Sequence, residues 1–334
     1  YFEGIECEVD AISDNNEVLI PGIMEHIERA GVHSGDSIAI YPPLNLTKQE
    51  IEQIIEYTKK ITLGLEVTGL INIQYVIIRG SKTTQTQSKN QTSSVYVIEA
   101  NPRASRTIPF ISKMTQVPMV SLALGTILGK SLKTLGYKGG LCKTPNKLIG
   151  IKAPVFSMSK LTGVDTNLGP EMKSTGEVMG IDHSLEGALT KALSAASLTI
   201  NHNSSILLSI ADKDKDEALT LAQQLIRKKC KLYATEGTAR MLSKANIPVT
   251  KITKKLNEGH PNVVDIIEQK IVQAVINTVS ETAIAIRDGY KIRRSAVEQQ
   301  IPCFTFIDTA KFATQNINSH PSYTVKTIEE YMKS

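Results

Sequence analysis

The stretch VYVIEANPRASRTIPF, residues Val95–Phe110, decides how the rest of the chain is interpreted. Its first four residues are β-branched or aromatic, which predicts a strand. An Asn-Pro pair at Asn101-Pro102 usually ends such an element, so the strand stops there. Because side chains alternate between the faces of a strand, Glu99 and Asn101 are expected to point the same way.

The residues around this strand end indicate phosphate and metal chemistry. A carboxylate beside an amide oxygen, as at Glu99 and Asn101, can hold a hard cation such as Mg²⁺. Arg103 and Arg106 follow closely, and both guanidinium groups can grip a phosphate in a fork. A strand end with a solvated charge cluster is the plain alternative for so short a motif.

Length and composition allow two domains and exclude several classes of protein. The 334 residues are 41% hydrophobic with a net charge of +5, a balance that suits phosphorylated small molecules. The chain has no Trp and only 5% aromatic residues, so the aromatic stacking surfaces of single-strand nucleic-acid binders are not evident. We therefore expect no nucleic-acid partner. No apolar run reaches the length of a membrane span, so we expect no membrane partner either.

The cysteines and the first residue bear on the compartment and on the extent of the chain. The four cysteines form no CxxC pair and are interpreted as reduced thiols, which predicts a cytoplasmic protein. The chain starts at Tyr1 within a strand-like pattern. We therefore expect it to be part of a larger polypeptide.

The beginning of the chain reads as a hairpin followed by a short helix. Tyr1–Asp10 and Glu17–Ile20 are predicted strands, joined by a turn rich in Asp and Asn. Glu6, Glu8 and Asp10 alternate with apolar neighbours in the first strand, a pattern typical of an edge strand with one polar face. Ile23–Ala30 is predicted to be a helix that ends at Gly31.

A capped helix and a buried strand follow. Thr47–Leu63 has a capping box and apolar residues at helical spacing, which indicates an amphipathic helix that packs on a core. Leu70–Ile78 is a predicted buried strand in which Gln74 is the one long amide. Such a side chain needs a hydrogen-bond partner or a ligand. The polar stretch Arg79–Ser94 is predicted to be a mobile loop without a catalytic role.

The second half alternates strands and helices, which predicts a parallel sheet with crossover helices. Ligands bind at the carboxyl ends of such strands. The loops there contain Thr235, Thr238 and the pair Asn277-Thr278, whose hydroxyls and backbone amides form natural anion sites. Lys215 and Lys255 could add positive charge. Helix-capping threonines and solvated lysines are the plain alternative.

Long strings in the chain resemble one family of enzymes. IEANPRASRTIPF closely resembles the E-x-N-P-R-x-S/A-R-T-x-P-F segment of ATP-grasp enzymes and, more narrowly, that of the large chain of carbamoyl phosphate synthases. GIMEHIERAGVHSGDS (22–37) and GVDTNLGPEMKSTGEVMG (163–180) are similar to further specific segments of the same family. The second half resembles the methylglyoxal-synthase-like regulatory domain that ends this large chain.

The resemblance implies an α/β fold in two parts. Residues 1–197 would be the carboxyl-terminal part of an ATP-grasp unit, of α+β type with a mostly antiparallel sheet. Residues 198–205, where Asn and Ser cluster, would be a linker. Residues 206–334 would be a parallel-sheet, Rossmann- or flavodoxin-like domain of the methylglyoxal-synthase-like type.

The resemblance also implies an activity and its partners. The ATP-grasp unit would phosphorylate carbamate, formed from bicarbonate, with ATP, Mg²⁺ or Mn²⁺, and K⁺, for pyrimidine or arginine biosynthesis. A nucleotide effector would bind the second domain. The remainder of the large chain and a glutamine amidotransferase, as a small chain or a fused domain, would be protein partners. The 334 residues alone are expected to be inactive.

Site residues follow from the resemblance, position by position. The resemblance implies ligands for the divalent metal at Gln74, Glu99 and Asn101. It implies phosphate or carbamate contacts, and thus catalytic roles, for Arg103, Arg106 and His33. Nucleotide and potassium neighbours are implied at Glu6, His26, Glu28, Val32, His33, Ser34, Ser37, Gln74 and Glu99. Effector contacts are implied at Lys215, Thr235, Thr238, Lys255, Asn277 and Thr278.

Two alternatives stay open at this point. The chain could be a catalytically inert nucleotide-binding regulatory module. It could also belong to a different ATP-grasp ligase or be a true methylglyoxal synthase. Against the synthase, the stretch at 258–262 reads EGHPN, which is not the G-G-D-Q type of string expected for that activity.

Overall fold

The computed structural model describes residues 4–80, 93–143, 147–158, 163–253, 259–279, 283–317 and 323–333, without the side chains of 283–287. Most of the predicted loop between Arg79 and Ser94, and Lys255, lie outside these residues. The chain forms two compact units that interleave along the sequence. The first contains 1–152, 181–188 and 325–334, and the second contains 153–180 and 189–324.

The first part of the chain is mostly antiparallel sheet with flanking helices. Its strands are β1 (Ile5–Asp14), β2 (Val18–Arg29), β3 (Ala39–Tyr41), β4 (Thr68–Arg79), β5 (Ser93–Asn101), β6 (Gly140–Leu141), β7 (Ile149–Val155) and β8 (Gly176–Asp182). Its helices are α1 (Lys48–Gly64), α2 (Thr107–Thr115), α3 (Met119–Ile127) and α4 (Leu185–Ala195), with a 3₁₀ turn at Ser34–Asp36.

Strand β1 lies inside the first sheet, not at its edge. The order is β5-β4-β1-β2-β3-β7-β8; the neighbouring pairs from β5 to β7 are antiparallel, while the short β6 runs parallel to β2. The interpretation of β1 as an edge strand was therefore wrong. Its polar residues face a covered surface and need partners there.

The two faces of this sheet differ sharply because polar and apolar residues alternate along β1 and β4. One face carries Cys7, Val9, Ile71, Ile73 and Tyr75, all buried, which pack with one another and against apolar residues of α1. The other face carries carboxylates, amides and a histidine. The period of two in the sequence thus places one apolar core and one polar surface on opposite sides.

The predicted helix at Ile23–Ala30 is wrong, because β2 runs without a break from Val18 to Arg29. This segment pairs with β1 on one side and with β3 on the other. Both of its faces are covered, so nearly every residue from Val18 to Glu28 is buried. Sheet pairing outweighs a local helical pattern here, as tertiary context commonly does.

The second part of the chain is a parallel α/β layer, as its alternating pattern predicts. Its strands are β9 (Ser205–Ser209), β10 (Lys231–Thr235), β11 (Thr250–Ile252), β12 (Ala274–Asn277) and β13 (Cys303–Phe304). Its helices are α5 (Lys215–Arg227), α6 (Glu236–Lys244), α7 (Val263–Glu268), α8 (Ala283–Glu298) and α9 (Ile307–Gln315). A short helix α10 (Ile328–Lys333) follows in the part of the chain that returns to the first unit.

The second sheet has the order β11-β10-β9-β12-β13, with all its pairs parallel. The chain moves outward from β9 to one side and then to the other. Crevices for ligands form at such a reversal, beyond the carboxyl ends of the strands. The antiparallel first part and parallel second part together match the predicted fold class.

Within the described residues, no helix combines the length and the apolar character needed to cross a membrane.

Candidate functional site

Strand register aligns the polar residues of the first sheet in two rows. Glu8 lies opposite Gln74, which lies opposite Glu99. In the next row the same three strands contribute Asp10, Asn72 and Asn101. Side chains that share a row share a face, so these residues form one polar surface that runs from a buried centre to an exposed edge.

At the edge, Gln74, Glu99 and Asn101 converge on one carboxylate oxygen. The Gln74 amide nitrogen donates to Glu99 Oε1 at 2.9 Å and also to Ser34 Oγ at 2.9 Å. The Asn101 amide nitrogen donates to the same Glu99 oxygen at 2.8 Å. Glu99 is exposed, so a ligand from solvent can reach it.

This trio fits a hard cation once both amides turn. Among the described residues, no group of three or more His, Cys, Asp or Glu side chains is arranged to hold a metal ion. A site at Glu99 would therefore rely on amide oxygens, which are suitable ligands for Mg²⁺ or Mn²⁺ together with a carboxylate. A half-turn of each amide exchanges its nitrogen for its oxygen, because the two ends have nearly the same shape.

Deeper on the same face, His26 bridges two carboxylates. Its Nδ1 lies 3.3 Å from Glu6 Oε2, and its Nε2 lies 3.2 Å from Glu8 Oε1. Burial alone would lower the pKa of His26, but the hydrogen bonds and charges of Glu6 and Glu8 raise it to about 9. Burial likewise opposes ionisation of Glu8, but the His26 hydrogen bond and charge lower the pKa of Glu8 to about 2. His26 and Glu8 are therefore both ionised at neutral pH.

The loop between β2 and β3 closes over this cluster and contains several predicted site residues. Glu6 Oε1 accepts a hydrogen bond from the Gly31 amide at 3.3 Å, and Glu28 Oε2 accepts one from the Ile38 amide at 2.7 Å. Val32 and Ser37 are buried in the loop, whereas His33 and Ser34 are half-buried. His33 Nδ1 accepts from the Gly35 amide at 3.0 Å, so this ring is held by its own turn.

The arginine-bearing loop follows β5 directly. Arg103 is exposed and donates to the Ala104 carbonyl at 3.0 Å, and Arg106 immediately precedes α2. The loop is tied to the centre of the sheet through Thr107, whose hydroxyl donates to Asp10 Oδ2 at 2.6 Å. Arg106 thus lies next to a residue anchored on β1.

The sequence analysis gave no site role to three polar residues of this surface. Asn72 donates to Glu8 Oε2 at 3.1 Å and to Asp10 Oδ1 at 3.0 Å, which joins the two rows. Lys152 on β7 is 1% exposed and donates to the Ser34 carbonyl at 2.9 Å. Burial and the charge of Glu8 raise the pKa of Asp10 to about 6. A lone Lys in the apolar string of β7 was the available signal for Lys152.

In the second unit, the predicted effector residues collect at the carboxyl ends of β9, β10 and β12. Thr238 Oγ1 accepts from the Ile210 amide at 3.0 Å and lies 3.5 Å from Thr235 Oγ1. Lys215 Nζ lies 2.5 Å from Asp212 Oδ1, and a Cβ added to Gly237 would lie 3.8 Å from that amine. The ammonium group therefore lies near the first turn of α6, where the positive end of the helix dipole favours an anion.

The two remaining described effector residues differ in role: Thr278 offers a hydroxyl to a ligand, whereas the Asn277 amide is used within the protein. Thr278 Oγ1 accepts from the Ala211 amide at 2.8 Å, which leaves the hydroxyl proton free to donate. Asn277 is buried and uses both ends of its amide within the protein, on Ser209 and Arg293. Lys255 lies outside the described residues.

Family models match both parts of the chain. Residues 2–135 match the model described as the carbamoyl-phosphate synthase L chain, ATP binding domain. Residues 217–305 match the model described as the MGS-like domain. The first match lies in the antiparallel part of the chain and the second lies in the parallel part. Together they confirm the predicted fold class.

Two of the solved structures that match this chain are remote in sequence. The biotin carboxylase domain of a single-chain bacterial carboxylase is 16% identical and has a TM-score of 0.43, with 58% of this chain and 47% of that chain covered. A urea carboxylase of Kluyveromyces lactis is 12% identical and has a TM-score of 0.41, with 58% and 18% covered. At these TM-scores neither match carries a conclusion.

A curated relative aligns with nearly the whole chain. The carbamoyl phosphate synthase large chain of Thermomicrobium roseum is 51% identical over 311 residues, which is 93% of this chain. The chain spans 28% of the length of that relative. With both family models matched in the same order as the predicted domains, the chain belongs to the carbamoyl phosphate synthase large-chain family.

Proposed function

We propose that this chain is part of a carbamoyl phosphate synthase and contributes to the phosphorylation of carbamate by ATP. The observation that carries the proposal is the convergence of Gln74 and Asn101 on Glu99, at the edge of a polar sheet surface and beside an arginine-bearing loop. Phosphoryl transfer needs such parts, because its catalysis consists mainly of positioning and of neutralising charge.

Gln74, Glu99 and Asn101 would hold the divalent ion, Mg²⁺ or Mn²⁺. When bound, such an ion neutralises phosphate oxygens and orients them. Arg103 and Arg106 would bind phosphate or carbamate oxygens through forked hydrogen bonds. The connection from Thr107 to Asp10 would hold Arg106 in place during the reaction. His33 would lie near the transferred group.

The cluster beneath the loop between β2 and β3 would serve a structural cation and the nucleotide. Glu6 and Glu28 are buried there together with His26, Val32 and Ser37, and the carboxylate, hydroxyl and backbone carbonyl oxygens of these residues suit a K⁺ ion. Arg29 directly follows Glu28 in this segment. Its cationic head group must point away from such an ion.

The second unit would bind a nucleotide effector through its phosphate. Thr235, Thr238, Thr278 and Lys215 surround backbone amides at the strand ends, and Lys255 would add a further contact. The phosphate would compete with Asp212 for the Lys215 ammonium group. We place the complete enzyme in the cytoplasm, working with the remainder of the large chain and with a glutamine amidotransferase.

The proposal is tested with the full-length polypeptide that contains this chain. Glu99→Gln removes the negative ligand and should lower carbamoyl phosphate synthesis from ATP, bicarbonate and ammonia roughly tenfold to a hundredfold or more. Glu56→Gln, the same change on the exposed side of α1, should leave the rate unchanged. The assay follows carbamoyl phosphate formation across a range of Mg²⁺ concentrations.

The alternatives give different results in the same assay. Equal rates for Glu99→Gln and wild type at saturating Mg²⁺ would remove Glu99 from the metal site. A nucleotide-binding polypeptide that forms no carbamoyl phosphate would support the inert regulatory module. ATP hydrolysis that depends on a carboxylic acid other than carbamate would support a different ATP-grasp ligase.

A further inference from the structure

A buried arginine joins two segments of the second unit that lie far apart in sequence. Arg293 on α8 is 1% exposed, and its Nε donates to Asp165 Oδ1 at 2.7 Å while Nη2 contacts the other oxygen of that carboxylate. The remaining arm, Nη1, donates to Asn277 Oδ1 at 2.7 Å. One guanidinium group therefore holds the 163–180 segment and the end of β12 at the same time.

The Asn277 amide passes this connection on to the candidate effector site. Its Nδ2 donates to the Ser209 carbonyl at 3.2 Å, and that carbonyl also accepts from the Thr278 amide at 3.2 Å. Thr278 in turn accepts from Ala211, the residue in the loop after β9. Since both ends of its amide are occupied, Asn277 is suited to fixing this loop and not to touching a ligand through its side chain.

The Arg293 guanidinium group packs closely against the backbone of its own helix, α8, at Gly289. A Cβ added to Gly289, one turn earlier on α8, would lie 2.8 Å from Arg293 Nη1 and 3.3 Å from Asn277 Oδ1. A side chain at this position would push the guanidinium away from Asn277. The missing side chain of Gly289 thus makes room for the bridge.

The charge on this bridge is satisfied on the Asp165 side as well. Asp165 Oδ1 also accepts from the Asn167 amide at 3.0 Å, so the carboxylate organises its own loop. Burial opposes ionisation of Asp165, but the Arg293 hydrogen bond, the Asn167 amide and nearby positive charge lower the pKa of this carboxyl. Loss of the Asp165 charge would leave the buried Arg293 guanidinium without its charged partner.

We propose that Arg293 is a positioning residue of the effector site and that the Asp165–Arg293–Asn277 bridge couples occupancy of that site to the order of residues 163–167. The inference rests on the proposed nucleotide-effector function. A nucleotide phosphate needs Thr278 and the loop after β9 in fixed positions, and the bridge supplies that fixation. Coupling is reciprocal, so bound nucleotide must stabilise the Asp165 end by the same factor.

The test uses the full 334-residue chain, with uridine 5′-monophosphate and inosine 5′-monophosphate as probes in calorimetry. Arg293→Lys cannot hold both partners in a fork, and Asp165→Asn removes the charge while keeping the shape. Each should weaken nucleotide binding about tenfold, in line with the loss of a hydrogen bond to a charged group. Gly289→Ala should act in the same direction. Glu298→Gln, on the exposed side of α8, is the control and should bind as wild type.

Amide hydrogen exchange measures the coupling itself. Saturating nucleotide should slow exchange in residues 163–167 of the wild type, and this protection should disappear in Asp165→Asn even at concentrations that fill the site. If the Arg293 variants fail to fold, Asp165→Asn still tests the proposal. The Asp165 side chain is 31% exposed, so we expect this variant to fold.

The outcomes separate this inference from the function on which it rests. Wild-type chain that binds neither nucleotide would overturn the effector proposal and the bridge with it. Normal binding by Asp165→Asn and Arg293→Lys, with only a lower unfolding temperature, would overturn the positioning role alone. Normal nucleotide binding without any change of exchange at 163–167 would overturn the coupling.

Discussion

At the scale of single residues, Asp10 shows how a carboxylate can serve as a buried anchor. It accepts hydrogen bonds from Thr107 and Asn72, and it is fully buried beside the ionised Glu8. Its pKa is about 6, compared with an ordinary value of 3.8. The folded protein therefore binds this proton more tightly than the unfolded chain does.

The sign of the resulting pH dependence follows from linkage. Between about pH 4 and pH 6 the unfolded chain has already lost a proton that the folded chain retains, so stability falls as pH rises. A rise of the Asp10 pKa from 3.8 to about 6 corresponds to about 3 kcal/mol in unfolding free energy. Asp10→Asn removes this titration. The variant should gain about 3 kcal/mol in unfolding free energy relative to wild type between pH 4 and pH 7.

Urea denaturation at several pH values measures this difference. Asp216→Asn, the same change at an exposed position of α5, should show a nearly constant difference from wild type. Parallel stability curves for Asp10→Asn and wild type would contradict the assigned pKa of Asp10.

The sequence revealed some of these residues and concealed others for a physical reason. Gln74 stood out because a long amide in an apolar strand needs a partner, and the structure places it opposite Glu99. Asn72 and Asp10 are equally polar, but their significance depends on the register between β1 and β4. Register between distant strands is not visible in either strand alone.

At the scale of secondary structure, α1 shows a prediction that local chemistry was sufficient to make. The Thr47 hydroxyl accepts from the Glu50 amide and the Glu50 carboxylate accepts from the Thr47 amide, which is the predicted capping box. The same carboxylate also receives Arg79 of β4, with Nε 2.9 Å from Oε1 and Nη2 2.7 Å from Oε2. The helix cap is thus also the attachment of α1 to the sheet.

Replacing this carboxylate should be costly. Glu50→Ala removes the cap and the charged partner of Arg79, so we expect a loss of about 2–4 kcal/mol in unfolding free energy. Glu52→Ala, two residues further along the same helix and exposed, should change stability by less than about 0.5 kcal/mol. Thermal and urea denaturation of both variants provide the measurement. Equal stabilities would show that Glu50 does not attach the helix.

The contrast with β2 explains where local reasoning fails. The string IMEHIERA contains good helix formers and is followed by a glycine, so its local pattern favours a helix. The segment becomes a strand because β1 and β3 supply hydrogen-bond partners on both of its edges. Those partners lie outside any short window of sequence.

At the scale of the whole molecule, the order of elements carried most of the information. Alternating strands and helices in the second half led directly to a parallel sheet. The three long strings led to the family, and the comparisons confirm it. The bridge from Asp165 to Arg293 had no such signal, since a single Asp and a single Arg can meet only after the chain has folded.

Nucleotide binding should be measurable as a gain in stability of the second unit. At a nucleotide concentration one hundred times the dissociation constant, the expected gain is about 2.7 kcal/mol. Lys215→Ala should weaken binding roughly tenfold, because it removes a charge-assisted phosphate contact. Lys213→Ala, an exposed position in the 3₁₀ turn Asp212–Asp214 that precedes α5, is the matched control.

Amide hydrogen exchange in β9, β10 and β12 measures this gain in stability directly. Nucleotide should slow exchange in these strands for wild type and for Lys213→Ala at low concentration, and for Lys215→Ala only at a higher one. Identical dose dependence in the two lysine variants would exclude Lys215 from the phosphate site.

The interleaving of the two compact units sets a limit on how the chain can be made and divided. Tyr331 donates to Asp182 within the first unit, although nearly the whole second unit lies between them in sequence. During synthesis on the ribosome, this first unit can be completed only after the second has already emerged from the exit tunnel. A gene cut once within codons 198–205 would leave Asp165 and Arg293 on separate products, and Asp182 and Tyr331 as well.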